Sequence, residues 1–298
     1  MGVTDLFGSS FEVLRKYPRL VLPQLVFALV LSAVVTLLVG PLPKSAQGRL
    51  LASAVTVGLI VQFAIILVAA LLIGLFLTAF YLSIGDQSGS GCAISVGDAV
   101  SNAKSKYVRL FLAELVVGIV AAVVFGIIIL GVVAIIASSA SGGVSGSSAL
   151  LLAAFIGVVF LLVIAVLEIF IYMVSANVVV GGSAPLAAIS ASISFGKSNA
   201  LLVLGIVLLA VVISLVFSLV ESPIIFAVAY VVPGATVSKW LGVLLGAVVG
   251  GILGAWFTMI PALVYRAYAQ PQTAPQKQMP SQAARPSQAA KPKGKRKG

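Results

Sequence analysis

The sequence predicts an all-α membrane protein with six spans, arranged as three parallel repeats of a cytoplasmic amphipathic helix followed by two membrane helices. Three observations carry that prediction. The chain is 61% hydrophobic and 8% charged, whereas soluble domains are roughly a quarter charged. Several uncharged stretches exceed the ~20 apolar residues that cross a bilayer. Finally, FEVLRKYPRLVLPQLV at 11–26 returns ninety residues later as SNAKSKYVRLFLAELV at 101–116, with seven of sixteen positions identical. Lys16/Lys106, Tyr17/Tyr107 and Arg19/Arg109 match in phase beside four apolar identities, and SISFGKSNALLVLGIV at 192–207 keeps Lys197 in the register of Lys106. Apolar matches between membrane helices arise easily. A Lys-Tyr-x-Arg match in phase does not, and it marks one unit used three times.

The elements follow in order. Residues 1–19 form the first basic amphipathic segment, with Leu6, Val13 and Tyr17 on one face and Arg15, Lys16 and Arg19 near the membrane. A cleaved signal peptide is the competing reading. The apolar run 20–39 is too long for it and has a repeat partner downstream. Span one is 20–39, closed by Gly40-Pro41-Leu42-Pro43, and span two lies within 51–84. Ser95 with Asp98 reads as a capping box opening the second amphipathic helix, whose face is Val96, Val100, Ala103 and Tyr107. Span three is about 110–137, the small flexible connection 138–148 follows, and span four is about 149–180. Ser183-Ala184-Pro185 opens the third amphipathic helix, ending near Lys197, and span five is about 200–220. Glu221-Ser222-Pro223 is expected to break that span, leaving 224–232 at the outer interface or re-entrant. Span six is about 240–268, with Pro261 expected to kink or end it. Tyr81, Tyr172 and Tyr265 mark the ends of the even-numbered spans at spacings of 91 and 93, an independent trace of the repeat.

The membrane domain is therefore 1–269, with repeats about 5–84, 95–180 and 184–268. The tail 270–298 is Pro/Gln/Ala-rich, holds seven basic residues and no acid, and is expected to be disordered. Fifteen of the eighteen Lys and Arg residues fall on the side of the two termini, and only Lys44, Arg49 and Lys239 fall on the other. The positive-inside rule places both termini in the cytoplasm of a cell whose plasma membrane holds the chain.

Composition also excludes functions. There is no histidine, which removes His acid/base chemistry, Ser-His and Cys-His nucleophiles, haem and most zinc sites. The single Cys92 permits no intrachain disulfide, and seven acidic residues leave little for a metal cage. Gly-rich 142–146 lacks the lysine and preceding strand of a phosphate loop. No catalytic residue, cofactor or metal is expected.

Three groups of residues stand out. Glu114, its repeat partner Gln24, and Glu168 are polar groups on the cytoplasmic half of the membrane. They suit either a small site for a headgroup amine or a proton, or local pairing of the glutamates with Lys104, Lys106 or Arg109. Local pairing is favoured, because carboxylates near the interface cost less than central ones. Arg15, Lys16, Arg19, Lys104, Lys106, Arg109 and Lys197 form the interfacial basic set. Gly242, Gly246, Gly250 and Gly254 form a four-residue ladder on span six, expected to be a face where another helix backbone approaches closely.

At the basic-helix-plus-span unit, with Lys-Tyr-x-Arg at 16–19 and 106–109, the sequence resembles the multi-pass membrane domain of glycerophosphoryl diester phosphodiesterases. It is similar in the same way to related uncharacterised prokaryotic, including archaeal, integral membrane families. The resemblance covers most of 5–268 and implies amphipathic segments ahead of paired spans. That family's phosphodiesterase domain is a separate soluble barrel using His and carboxylates, with no counterpart here, so its activity does not carry over.

The functional expectation is a non-enzymatic membrane protein that interacts with lipid or recruits a partner through its basic helices and tail. Its partners would be anionic lipid headgroups and, beyond them, a protein partner or second copy. Nucleic acid is disfavoured because the tail lacks aromatics for stacking. The alternative is a pseudo-threefold small-solute transporter. Against it stand parallel repeats, scarce central charge, and the absence of the mitochondrial-carrier proline-x-acidic-x-x-basic signature.

Overall fold

In a bilayer every backbone polar group needs a partner within its own segment, so apolar spans are helical. A computed structural model of the protein describes residues 2–39, 57–141, 146–231 and 235–269, and these are helical throughout apart from short connections. The first unit is α1 (Val3–Lys16), a 3₁₀ turn Pro18–Val21, α2 (Leu22–Val39) and α3 (Val57–Gly89). The second is α4 (Val96–Ser141), α5 (Gly146–Ile171) and the short α6 (Val174–Val179). The third is α7 (Pro185–Ser198), α8 (Ala200–Val231) and α9 (Ala235–Val264), which widens into a π turn at Tyr265–Ala269. Six segments are long and apolar enough to span a membrane: Pro18–Leu37, Ala64–Gly89, Val96–Gly131, Leu162–Val179, Ala200–Ala227 and Trp240–Ala269.

The core lies at one end of this bundle. It is made by Leu77–Ile84 of α3, Met173 with Val174–Val179 of α6, and Ala255–Val264 of α9. Leu6, Phe7, Val13 and Leu14 of α1, Ala99, Ala103 and Leu110 of α4, and Ala188 of α7 close over them. Away from that end the helices expose apolar side chains: Val35 and Leu37 on α2, Val61 and Ile65 on α3, Ile127 and Leu130 on α4, Leu219 and Phe226 on α8. Such surface suits the hydrocarbon of a bilayer. The two spans within each of the first two units touch little. Instead α2 lies along α9, and α3 lies between α4 and α9.

Hydrogen bonds stitch the packed end. The Tyr81 hydroxyl donates to the Leu20 carbonyl at 2.7 Å and accepts from the Gln24 N–H at 3.3 Å, fixing the entry to α2. The Trp256 indole N–H of α9 donates to the Phe7 carbonyl (3.0 Å) and the Ser10 hydroxyl (2.9 Å), which holds α1 against the bundle. Arg266 of the π turn pairs with Asp86 at the end of α3. Between α5 and α6 the helix breaks at Tyr172–Met173, and α7 repairs it. Ser192 Oγ accepts from the Met173 N–H at 3.1 Å and donates to the Phe170 carbonyl at 2.7 Å. Ala188, Ser192 and Gly196, four residues apart, are the buried face of α7. A Cβ on Gly196 would run into the Ile169 carbonyl, so only glycine lets α7 approach this closely.

Several sequence expectations need correction. Pro223 does not break the fifth span: α8 runs through it to Val231. Proline there removes one N–H, and Ser222 Oγ donates to the Ser218 carbonyl at 2.7 Å, the kind of side-chain support that tolerates proline in membrane helices. Pro261 does not end α9, which continues to Val264. The second amphipathic helix is continuous with its span. At 1.5 Å per residue α4 is ~69 Å long, more than twice the ~30 Å hydrocarbon thickness, so its first turns project beyond the bilayer. Its buried face is Ala99, Ala103, Leu110 and Ala113, while Val96 is exposed. In α1, Leu6 and Val13 are buried as expected, but Tyr17 is exposed and Phe7, Ser10 and Leu14 join the face. The capping box is half formed: the Asp98 N–H donates to Ser95 Oγ at 3.3 Å, but the Ser95 N–H goes to Gln87 Oε1 at 2.8 Å. The Gly40–Pro43 closure, Lys44, Arg49, residues 142–145 of the 138–148 connection and the 270–298 tail lie outside the described residues.

Ser192→Ala leaves the Met173 N–H and the Phe170 carbonyl without that partner. The expected loss is about 1–3 kcal/mol, read as a lower thermal midpoint in detergent, whereas Ser190→Ala on the exposed face leaves the midpoint unchanged.

Candidate functional site

The interfacial basic residues divide by what they touch. Arg15 and Lys16 stand exposed on the last turn of α1, Lys16 Nζ 5.6 Å from the Tyr17 ring centre, and Arg19 is exposed on the 3₁₀ turn. Arg109 donates to the Gly182 carbonyl at 3.3 Å, just past the end of α6, where the helix dipole favours a cation. Lys106 lies beside it, its Nζ 3.4 Å from where a Cβ on Gly182 would stand. Arg109 is thereby a structural cation, tying α4 to the chain beyond α6.

Lys104 and Lys197 differ from them. Lys104 stands at a groove of about 380 Å³ lined by Leu72, Ile73, Phe76 and Tyr107, where the Tyr107 hydroxyl donates to the Leu72 carbonyl at 3.0 Å. Lys197, on the last turn of α7, stands at an apolar groove of about 370 Å³. Val116, Val117, Val120 and Ala121 of α4, Leu167, Phe170 and Ile171 of α5, and Ile189 and Ile193 of α7 form its walls. The other side of Lys197 opens on a second cleft with Ser190 and Ser194. Each lysine is thus a charged head beside an apolar groove.

The two glutamates do not pair with Lys104, Lys106 or Arg109, which corrects the favoured sequence reading. Ser175 Oγ of α6 donates to Glu114 Oε1 at 2.5 Å. Glu168 lines a cavity of about 450 Å³ between α1, α5, α8 and α9, together with Phe7, Tyr172, Ser214, Ser218 and Phe257. Glu114 and Glu168 lie within electrostatic reach of each other. Gln24 is not part of this group: its side chain packs on Gly254, its amide nitrogen 2.7 Å from where a Cβ there would stand. Ser175, Phe7 and Phe257 join the site only through tertiary contact. Ser214 and Ser218, one helical turn apart, were the single sign in sequence of a polar stripe on span five.

The glycine ladder serves two partners rather than one. Gly242 and Gly246 face Ile225 and Glu221 of α8, whereas Gly254 faces Gln24 of α2. Gly250 meets nothing within 4 Å. The closest approach to a neighbouring backbone on this face is at Gly251, where a Cβ would come within 2.8 Å of the Leu25 Cα. Among the described residues, no three His, Cys, Asp or Glu side chains group as metal ligands.

Six apolar helices, a core confined to one end and interfacial charge define a multi-pass α-helical membrane protein. The chain belongs to the family described as a domain of unknown function (DUF7847), whose model matches residues 1–268. No curated protein and no solved structure matches it.

Gly251→Val drives a side chain into the α2 backbone and is expected to lower stability or abolish monodisperse solubilisation, while Gly250→Val behaves as wild type. Size-exclusion profiles and thermal midpoints of the two variants test the two-partner geometry; equal effects would contradict it.

Proposed function

We propose that the protein is a non-enzymatic membrane protein of the cell membrane that holds anionic lipids at its basic interfacial helices, with both termini cytoplasmic. The observation that carries this reading is the pairing of an exposed lysine with an apolar groove, at Lys104 and again at Lys197. An acyl chain fits the groove, and the phosphate of its headgroup meets the ammonium. Ser190 and Ser194 beside Lys197 supply further donors to the headgroup oxygens. Arg15, Lys16 and Arg19 extend the same positive surface, and the seven basic residues of 270–298 add to it from the same side. In this reading partner recruitment would build on the bound lipid.

Each basic residue near an anionic surface is worth about 1 kcal/mol, so Lys104→Gln with Lys197→Gln is expected to weaken retention of anionic lipid about fivefold at each groove. Native mass spectrometry of protein extracted from mixed anionic and zwitterionic bilayers reads this directly. Unchanged retention of anionic lipid would sink the groove assignment. Truncation after Gln270 is expected to reduce capture of added anionic vesicles by reconstituted protein, and the effect fades as salt rises. Capture that ignores salt would exclude an electrostatic tether.

A further inference from the structure

We propose that the cavity between α1, α5, α8 and α9 binds a hydrophobic organic cation, an ammonium or phosphonium with an apolar body, with Glu168 as its counter-ion. The cavity, about 450 Å³, falls in the range of small-molecule sites. Its walls are Ile164, Ile206, Val207, Ala210, Val211, Leu215 and Ile260, apolar enough to take a body that water rejects. Glu168 is the charged residue in that lining, and no side-chain donor among the described residues reaches its carboxylate. A carboxylate in apolar surroundings is costly until a cation neutralises it. Phe7 of α1, Phe257 of α9 and Tyr172 at the end of α5 add rings that attract a desolvated cation. The Ser214 and Ser218 hydroxyls are acceptors for N–H groups where the cation is an amine. The Glu114 carboxylate, held by Ser175, adds its field from the α4 side. Charge sign separates this site from the lysine grooves, which would repel the same ligand.

The site has a built-in reporter. Trp256 lies tilted against Phe257 (5.4 Å between centroids) and edge-on to Phe7 (5.9 Å), and both of these rings line the cavity. With Trp240→Phe as background, Trp256 is the sole tryptophan. Tetraphenylphosphonium titrated into the full-length protein in phosphatidylcholine nanodiscs is expected to change Trp256 emission saturably. Glu168→Gln weakens the apparent affinity at least tenfold, and a neutral compound of the same shape gives only linear partitioning. Ala210→Phe, which fills the cavity and keeps the carboxylate, is expected to weaken binding as well. Linear partitioning in the wild-type chain, or equal affinity in both variants, overturns the proposal. The Lys104→Gln/Lys197→Gln chain binds the cation like wild type, so failure of the lipid reading and failure of this one are separable. Adding phosphatidylethanolamine identifies the source of the ammonium: competition assigns the site to an aminolipid headgroup, and its absence assigns it to a free organic amine.

Discussion

An apolar helix in lipid gains nothing from the hydrophobic effect by leaving acyl chains for another apolar helix, and the rest of this structure depends on that constraint. Association has to come from close backbone approach and from hydrogen bonds, and both are concentrated at the end of the bundle that carries the short helices. A Cβ on Gly85 would come within 2.8 Å of the Met259 carbonyl, so α3 and α9 meet backbone to backbone. Gly251 does the same for α9 and α2, and Gly196 for α7 and α5. Beside these contacts stand the Tyr81, Trp256 and Ser192 hydrogen bonds and the Arg266–Asp86 pair. Farther along the spans such features thin out, and the exposed apolar faces leave lipid as the filler.

The parts of the fold legible in sequence were those written by period and charge. Six apolar runs of spanning length are visible by counting, and short amphipathic segments announce themselves by basic residues next to apolar ones. What escaped was decided by partners distant in the chain. The face of α1 turned on Trp256, 249 residues from the Phe7 carbonyl it binds. The buried face of α4 turned on small alanines that let α3 approach, a choice that Val96 and Val100 masked by being larger. Local chemistry at Glu221-Ser222-Pro223 signals a break, yet α8 runs through it to Val231. The ladder on α9 has the four-residue period of a single packing face, but α2 and α8 sit on different stretches of it.

The same asymmetry explains which charges were misassigned. Glu114 lies within a few residues of Lys106 and Arg109, so local pairing was the economical reading. Tertiary packing took Arg109 to the Gly182 carbonyl beyond α6 and gave Glu114 to Ser175. With Arg109 committed to backbone, Glu114 is held by Ser175 and Glu168 is left to the cavity. Spacing could place Glu114 and Glu168 at similar depth, but it could not say which neighbour each would meet.

One helix sets the two proposed ligand environments apart. Ile164 and Glu168 on α5 and Tyr172 just past its end, four residues apart, form the stripe that faces the cavity. Leu167, Phe170 and Ile171 face the Lys197 groove on the other side. A cation-favouring chamber and an anion-favouring channel thus share a wall one helix thick. That wall ends at the Tyr172–Met173 break, where Ser192 of α7 supplies the missing hydrogen bonds. Lys197 lies five residues farther along the same α7. Occupancy on either side therefore bears on the same α5–α7 contact, through Tyr172 from the cavity and through α7 itself from the groove. A continuous α5 would move as a rigid rod under such loads. A helix interrupted at this junction and bridged by one serine side chain gives the contact a local place to yield.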